Sequence, residues 1–200
     1  MPERAISDIQ VAQKACILVG LPPIQSFEDQ NAAEATVLNT IYEDIVRDCL
    51  TATRWNFAAS KKDLGPPLED SPLAEYSHAY HYLGVADDVL QINTVWINGD
   101  VATYDINEDM VLVDAGSNST VTLGFTKRVQ ERFWPPFFMT YVIFRLAGVL
   151  AASITRQATM AETYDGMAER QLAQARSRDA QQVTSRGIRL NRLIAARRGG

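Results

Sequence analysis

Residues 133–154, FWPPFFMTYVIFRLAGVLAASI, carry a single charge, Arg145, and no interruption stronger than Thr140, Gly148 and Ser153. Pro135 and Pro136 stand at the head of the run, where proline's fixed φ suits a first helical turn and its missing N–H costs nothing. Phe137 to Ile154 is apolar nearly all round, so the spacing predicts a helix central to the core. A membrane span is the competing reading. An arginine at mid-bilayer costs about 2.5–3.5 kcal/mol on insertion scales, which favours a buried core helix and no membrane.

Outward from this run, Thr159 and Glu162 form a capping box that opens a fourth helix, expected over 159–180. Its stripe is Met160, Tyr164, Met167, Ala168, Leu172 and Ala175, and it pairs with the preceding helix as an antiparallel hairpin. On the N-terminal side, Val89 to Ile97 alternates loosely, Asn98-Gly99 is a hairpin signal, and Val101 to Ile106 reads as the partner strand. Met110 to Val113 and Thr120 to Phe125 add two short strands around the turn Gly116-Ser117-Asn118, so residues 85–127 predict one small antiparallel sheet. Lys61 to Pro72 contains Gly65, Pro66, Pro67 and Pro72 and predicts an exposed connection.

Two helices precede it. The first, expected over 6–20, opens on a Ser7/Gln10 capping box and closes at Gly20 before Pro22-Pro23. The second, expected over 30–54, has the stripe Ala33, Val37, Ile41, Ile45, Cys49 and Ala52. Its charged face, with Glu34, Glu43, Asp44, Arg47 and Asp48, is either solvated or meets a neighbour's basic groups. Trp55 and Phe57, two positions apart, cannot share a helix face and imply a turn locked into the core. The expected fold is α+β and mainly α. It is an antiparallel helical bundle with helices over 6–20, 30–54, 135–155 and 159–180, a small antiparallel sheet inserted over 85–127, a core of residues 1–180 and an extended C-terminal arm, 181–200.

With 46% hydrophobic and 22% charged residues, a chain of 200 suits an ordered globular domain and excludes disorder throughout. The formal net charge of −5 hides an asymmetry: residues 171–200 hold seven Arg and one Asp (+6), whereas residues 1–170 carry 12 basic and 23 acidic groups (−11). An acidic body does not grip nucleic acid over its main surface; only the tail has the cation density for that. Within the arm, Ile188, Leu190, Leu193 and Ile194 alternate with Arg186, Arg189, Arg192, Arg197 and Arg198, a segment too short to bury its apolar residues alone and suited to ordering by a partner.

Visible catalytic apparatus is absent. Cys16 and Cys49 sit in apolar helical patterns without a CxxC, which predicts buried, reduced, inert thiols. The opening MPERAISDIQ has no apolar h-region, so a cytosolic site of synthesis is expected. His78 and His81 form H-x-x-H, and at helical spacing both rings would face one metal with Asp87 or Asp88; the plainer reading is a surface segment rich in Tyr and His. Asp105 to Asp109 imitates a calcium loop, but Met110 and Gly116 replace the required Gly and Glu, which predicts a turn between strands. No phosphate-cradling glycine loop, nucleophile elbow or triad is present, so no cofactor, metal or catalytic residue is expected.

An ordered set of motifs goes further. The first helix ends in Val19-Gly20-Leu21-Pro22-Pro23 and the second in Arg47-Asp48-Cys49-Leu50. Arg54-Trp55-Asn56-Phe57-Ala58 follows, then a Tyr76 to Tyr82 segment, then Phe133-Trp134-Pro135-Pro136-Phe137 opening the long apolar helix. Leu172-Ala173-Gln174-Ala175-Arg176-Ser177-Arg178-Asp179-Ala180 ends the last helix. In order and spacing the chain resembles, over residues 5–182, the tail tubular protein A or head-to-tail adaptor family of tailed bacteriophages. Trp55, Phe57, Pro135, Pro136 and Phe137 carry most of the likeness; the departure is Leu83 to Asp88, where the family places a Leu-Pro pair before its Asp.

The resemblance implies a structural virion protein, typically a twelve-membered ring that joins the portal protein to the tail nozzle or next tail component while genomic DNA passes through it. On that reading the arm residues Arg186, Ile188, Arg189, Leu190, Arg192, Leu193, Ile194, Arg197 and Arg198 dock on the portal: arginines on carboxylates, apolar residues in a groove. A nucleic-acid-binding protein using the same Arg-rich tail on phosphate is the alternative. A metal hydrolase on His78, His81 and Asp87 is a third reading.

Overall fold

The computed structural model describes residues 7–29, 31–68, 75–84, 86, 88–116 and 118–182. In chain order these form α1 (Asp8–Leu18), α2 (Ala33–Thr51), β1 (Ala59–Asp63), β2 (His78–His81), β3 (Val89–Ile97), β4 (Asp100–Ala102), β5 (Tyr104–Asn107), β6 (Met110–Val113), β7 (Val121–Lys127), α3 (Pro136–Leu150) and α4 (Ala158–Gln181). The strands build two antiparallel sheets, one ordered β1-β7-β3-β4 and the other β2-β6-β5.

Helix α3 is the centre of the helical core. Pro135 is its N-cap, at φ −62° and ψ 147°, and Pro136 its first residue; Phe138, Val142, Leu146 and Leu150 are fully buried behind them. The one charge in the apolar run is answered within the protein, since Arg145 lies 3.6 Å from Asp48 and 3.4 Å from Asp165. A π turn over Ala151–Thr155 continues α3 and stops at Arg156, whose φ of 54° is left-handed. The chain then reverses into α4, which comes close enough that a Cβ on Gly148 would stand 2.9 Å from Asp165 Oδ1. The Thr159/Glu162 capping box does not form: α4 starts at Ala158 with Gln157 in the cap position and no side-chain cap, so Thr159 is already inside the helix.

The expected helical bundle with a single small inserted sheet is not what forms. Among the described residues the fold is a mixed one of four helices and seven strands, and the sheets own a second core: Val95, Leu123 and Phe125 of the four-stranded sheet meet Tyr80, Val111 and Val113 of the three-stranded one. Two strands lie outside the expected 85–127. The connection expected from Lys61 begins only after Asp63, because β1 pairs along its length with β7, from Ala59 opposite Thr126 to Asp63 opposite Thr122. Its sequence, Ala-Ser-Lys-Lys-Asp, has no apolar alternation because it is an edge strand, held by backbone bonds and guarded by charge. Segment 101–106 is likewise split: β4 closes the Asn98-Gly99 hairpin on β3, and β5 leaves for the other sheet to pair with β6. Asn98 and Gly99, at φ 53° and 90°, have the two positive φ values that a two-residue hairpin turn requires.

Candidate functional site

The segment after α2 makes a single 3-10 turn, Asn56–Ala58, that drives Trp55 into the helical core with 1% of its surface exposed. Ring packing holds it there. Trp55 meets Phe138 edge-on at 5.2 Å between centroids, Phe137 in a stacked arrangement at 6.4 Å, and Phe57 at 5.8 Å; Phe57 in turn meets Phe138 at 4.9 Å. Such pairs add about 0.5–1.5 kcal/mol each beyond burial. The indole N–H donates to Cys49 O at 2.9 Å, so the ring's polar end is satisfied by the last turn of α2. Pro135 and Pro136 position Phe137 and Phe138 against it. Of the motif residues, Trp55, Phe57 and Phe137 therefore meet at one joint, and Pro135 and Pro136 start the helix that brings Phe137 there.

Asp179 completes it. This carboxylate, near the end of α4, is 3% exposed; its Oδ2 accepts from Asn56 N at 2.8 Å and Asn56 Nδ2 at 2.9 Å, and Nδ2 also reaches Asp179 O at 3.0 Å. Oδ1 is buried with no partner among the described residues. The C-terminal end of α4, two residues before the last helical position, is thus tied to the turn that anchors Trp55. Sequence reasoning quoted Asn56 and Asp179 inside longer motifs without giving either a role. A polar residue between two aromatics, and an Asp among Arg and Ser near a helix end, were the only signals. The arm residues Arg186, Ile188, Arg189, Leu190, Arg192, Leu193, Ile194, Arg197 and Arg198 lie outside the described residues.

A second joint fastens α2 to the link between β7 and α3. Arg128 Nη2 lies 2.6 Å from Glu131 Oε1 and 3.0 Å from Glu43 Oε2, and Glu131 Oε1 also accepts from Tyr42 at 3.3 Å. Burial alone would raise the Glu43 carboxyl, but Arg128 and Arg47 outweigh it and hold it below the ordinary value. Burial would lower Arg128, yet its two carboxylates raise it. Sequence gives no sign of this clamp, because Glu43 on α2 and Arg128 on the β7–α3 link are 85 positions apart.

The remaining sequence candidates do not assemble. Burial pushes the Cys49 thiol up to about 12 and raises Cys16 as well, and both are free, buried cysteines. His78 and His81 lie in strand β2, where residues three apart point to opposite faces, so the helical spacing that would converge them is lost. His81 Nδ1 instead lies 2.9 Å from Asp109 Oδ2, and His78 Nδ1 lies 3.1 Å from Ser77 Oγ. Asp87 lies outside the described residues. Of Asp105 to Asp109, the first three residues lie in β5 and only Glu108 and Asp109 make the β5–β6 turn, with Glu108 at φ 54°. Among the described residues there is no group of three or more His, Cys, Asp or Glu placed to hold a metal ion. No protein-family model matches this chain, and no curated protein matches it.

Proposed function

We propose that this protein is a structural head-to-tail adaptor of a tailed bacteriophage, non-catalytic, resident at the head-tail junction of the virion. In this role copies of the chain form a ring, twelve by the pattern of the family, between the portal protein and the tail nozzle or next tail protein, and the genome passes through it. The observation that carries the reading is the joint of Trp55, Phe57, Phe137, Phe138 and Asp179: motifs from three distant parts of the sequence converge where α4 delivers the chain toward residues 181–200. An arm that transmits load to a partner needs a rigid root, and buried ring packing plus a buried carboxylate tie supplies one.

Charge supports the same reading. A body of −11 repels passing DNA instead of retaining it, and an arm bearing five arginines, Arg186, Arg189, Arg192, Arg197 and Arg198, suits portal carboxylates. Repeated around a ring, individually weak arms make a strong joint. Deletion of residues 181–200 tests it: co-sedimentation with portal rings of the same phage is expected to be lost, and unchanged binding overturns the docking role. Mass photometry with and without portal reads the ring. Salt-dependent DNA binding by the isolated protein, abolished by the same deletion, would replace this reading with the nucleic-acid-binding one.

A further inference from the structure

Between the four-stranded sheet and the turn after α2, a cleft of about 310 Å³ is bounded by Arg54, Asn56, Ser60, Lys61, Asn93 and Trp96, and it also touches Trp55 and Phe125 of the two cores. Its floor is built around one aromatic. The Trp96 indole crosses flat over Gly124 of β7, where a Cβ would stand 2.4 Å from Cζ3 and 2.6 Å from Cη2, so only glycine admits the ring in this position. Lys61 of β1 reaches the ring from the neighbouring edge strand, with Nζ 4.1 Å from its centroid. Arg54 borders the same cleft and donates from Nη2 to Asn93 O at 2.7 Å. Asn93 gives its amide to Thr126 Oγ1 at 2.9 Å, and its Oδ1 is buried without a partner among the described residues.

Two features make this more than a hollow. Within a strongly acidic body, Arg54 and Lys61 are exposed cations on one cleft, and among the described residues neither forms an ion pair with a carboxylate. The cleft also adjoins a sheet edge, since β1 is the outermost strand and pairs only with β7 among the described residues. Unpaired cations call for an anion, and an open strand edge calls for an extended backbone. A nucleic acid fits less well. Lys61 already stands over the Trp96 ring, 4.1 Å from its centroid, where a base would stack, and the acidic charge balance of residues 1–170 opposes a polyanion.

We propose that this cleft is a docking site for an extended, carboxylate-bearing polypeptide segment, whose backbone adds to the edge of β1 and whose acidic side chains take Arg54 and Lys61 over Trp96. The proposal does not rest on the adaptor reading, although Trp55 and Asn56 belong both to this cleft and to the joint with Asp179.

The test is a titration of the full chain, labelled with nitrogen-15, with the peptide acetyl-Glu-Val-Glu-Val-Glu-amide to millimolar concentration, read on the tryptophan indole resonances. That of Trp134 is the internal control, because its N–H is committed to Val129 O and the residue does not line the cleft. The Trp96 resonance is expected to shift saturably, and Lys61→Ala to weaken the apparent affinity about tenfold, the worth of one charge-assisted hydrogen bond. Arg54→Ala is the second variant, with the same expectation. The proposal is overturned if Trp96 does not move, if the Lys-for-Glu counterpart peptide moves it equally, if both variants bind as the parent does, or if an oligothymidylate shifts it at lower concentration than the acidic peptide.

Discussion

The helical half and the two-sheet half of this protein both bury a continuous apolar core, but they reach it by different routes. In the helical half, α2, α3 and α4 supply Leu38, Val46, Leu146, Leu150 and Ala168 to one cluster. Each helix shows its period locally, though the buried face of α2, Ala35, Leu38, Tyr42 and Val46, lies one position round from the expected stripe of Ala33, Val37, Ile41 and Ile45. In the sheet half, Tyr80, Val111, Leu123 and Phe125 come from strands of four to seven residues, and the strand that completes one edge, Ala59–Asp63, has no buried face of its own. Local pattern is enough where an element satisfies its own backbone; it falls short where the backbone must find a distant partner.

Four measurements break or sharpen that contrast, taken from the largest expected effect. Phe138 touches Trp55, Phe57 and Trp134 at once and is fully buried, so Phe138→Ala is expected to cost about 3–5 kcal/mol in urea unfolding. A loss below about 1 kcal/mol would mean that the helical core does not depend on its aromatic joint. Asp179→Ala strips the two Asn56 donors, N and Nδ2, of their shared acceptor Oδ2 and is expected to cost about 1.5–3 kcal/mol, with hydrogen exchange rising first at the end of α4. Exchange rising evenly over the chain would show that the tie is not local.

In the sheet half, Gly124→Ala forces the Trp96 indole off the strand and is expected to destabilise by about 1–3 kcal/mol. The same change in a Trp96→Ala background should be nearly neutral, and equal costs in the two backgrounds would exclude the ring as the cause. The smallest effect is in pH. Glu43 has a folded value below its ordinary 4.5, so its contribution is fully present above 4.5 and is lost as pH falls through the lower folded value. Denaturation midpoints should therefore decline across that acidic window in the parent and decline less in Glu43→Gln. Because Glu43 is half exposed, solvent screens much of the pair.

Much of the helical half was legible in advance. The Pro135-Pro136 start, the apolar run behind it and the Ser7 cap all rest on interactions within a few residues, and Ser7 Oγ does accept from Gln10 N at 3.4 Å. The core position of Trp55 was readable from its spacing to Phe57, although Phe137 and Phe138 hold it there. The start of α4 was not legible, because the left-handed Arg156 and the π turn before it, instead of the Thr159 hydroxyl, set where the helix begins. In the sheets, Asn98-Gly99 was readable from turn chemistry. The division of 101–106 between two sheets was not, since nothing within six residues records which neighbour each half will meet. The candidate site divides the same way: the aromatic motif residues were legible, whereas Asp179, Arg128 and the Trp96 cleft exist only through partners far away in the chain.

What the amino-acid sequence determined alone is the set of pieces whose reasons are short-ranged: helices with an apolar face, two-residue turns with positive φ, buried cysteines, and a charge division between an acidic body and a basic C-terminal end. What the tertiary structure decided is which strands exist and in which sheet, that His78 and His81 face apart, and that Asn56 and Asp179 close one joint. A helix completes its own hydrogen bonds and so reveals itself from within. An edge strand, a buried carboxylate tie or a tryptophan laid over a glycine is completed by another part of the chain, and becomes readable only when that part is in place.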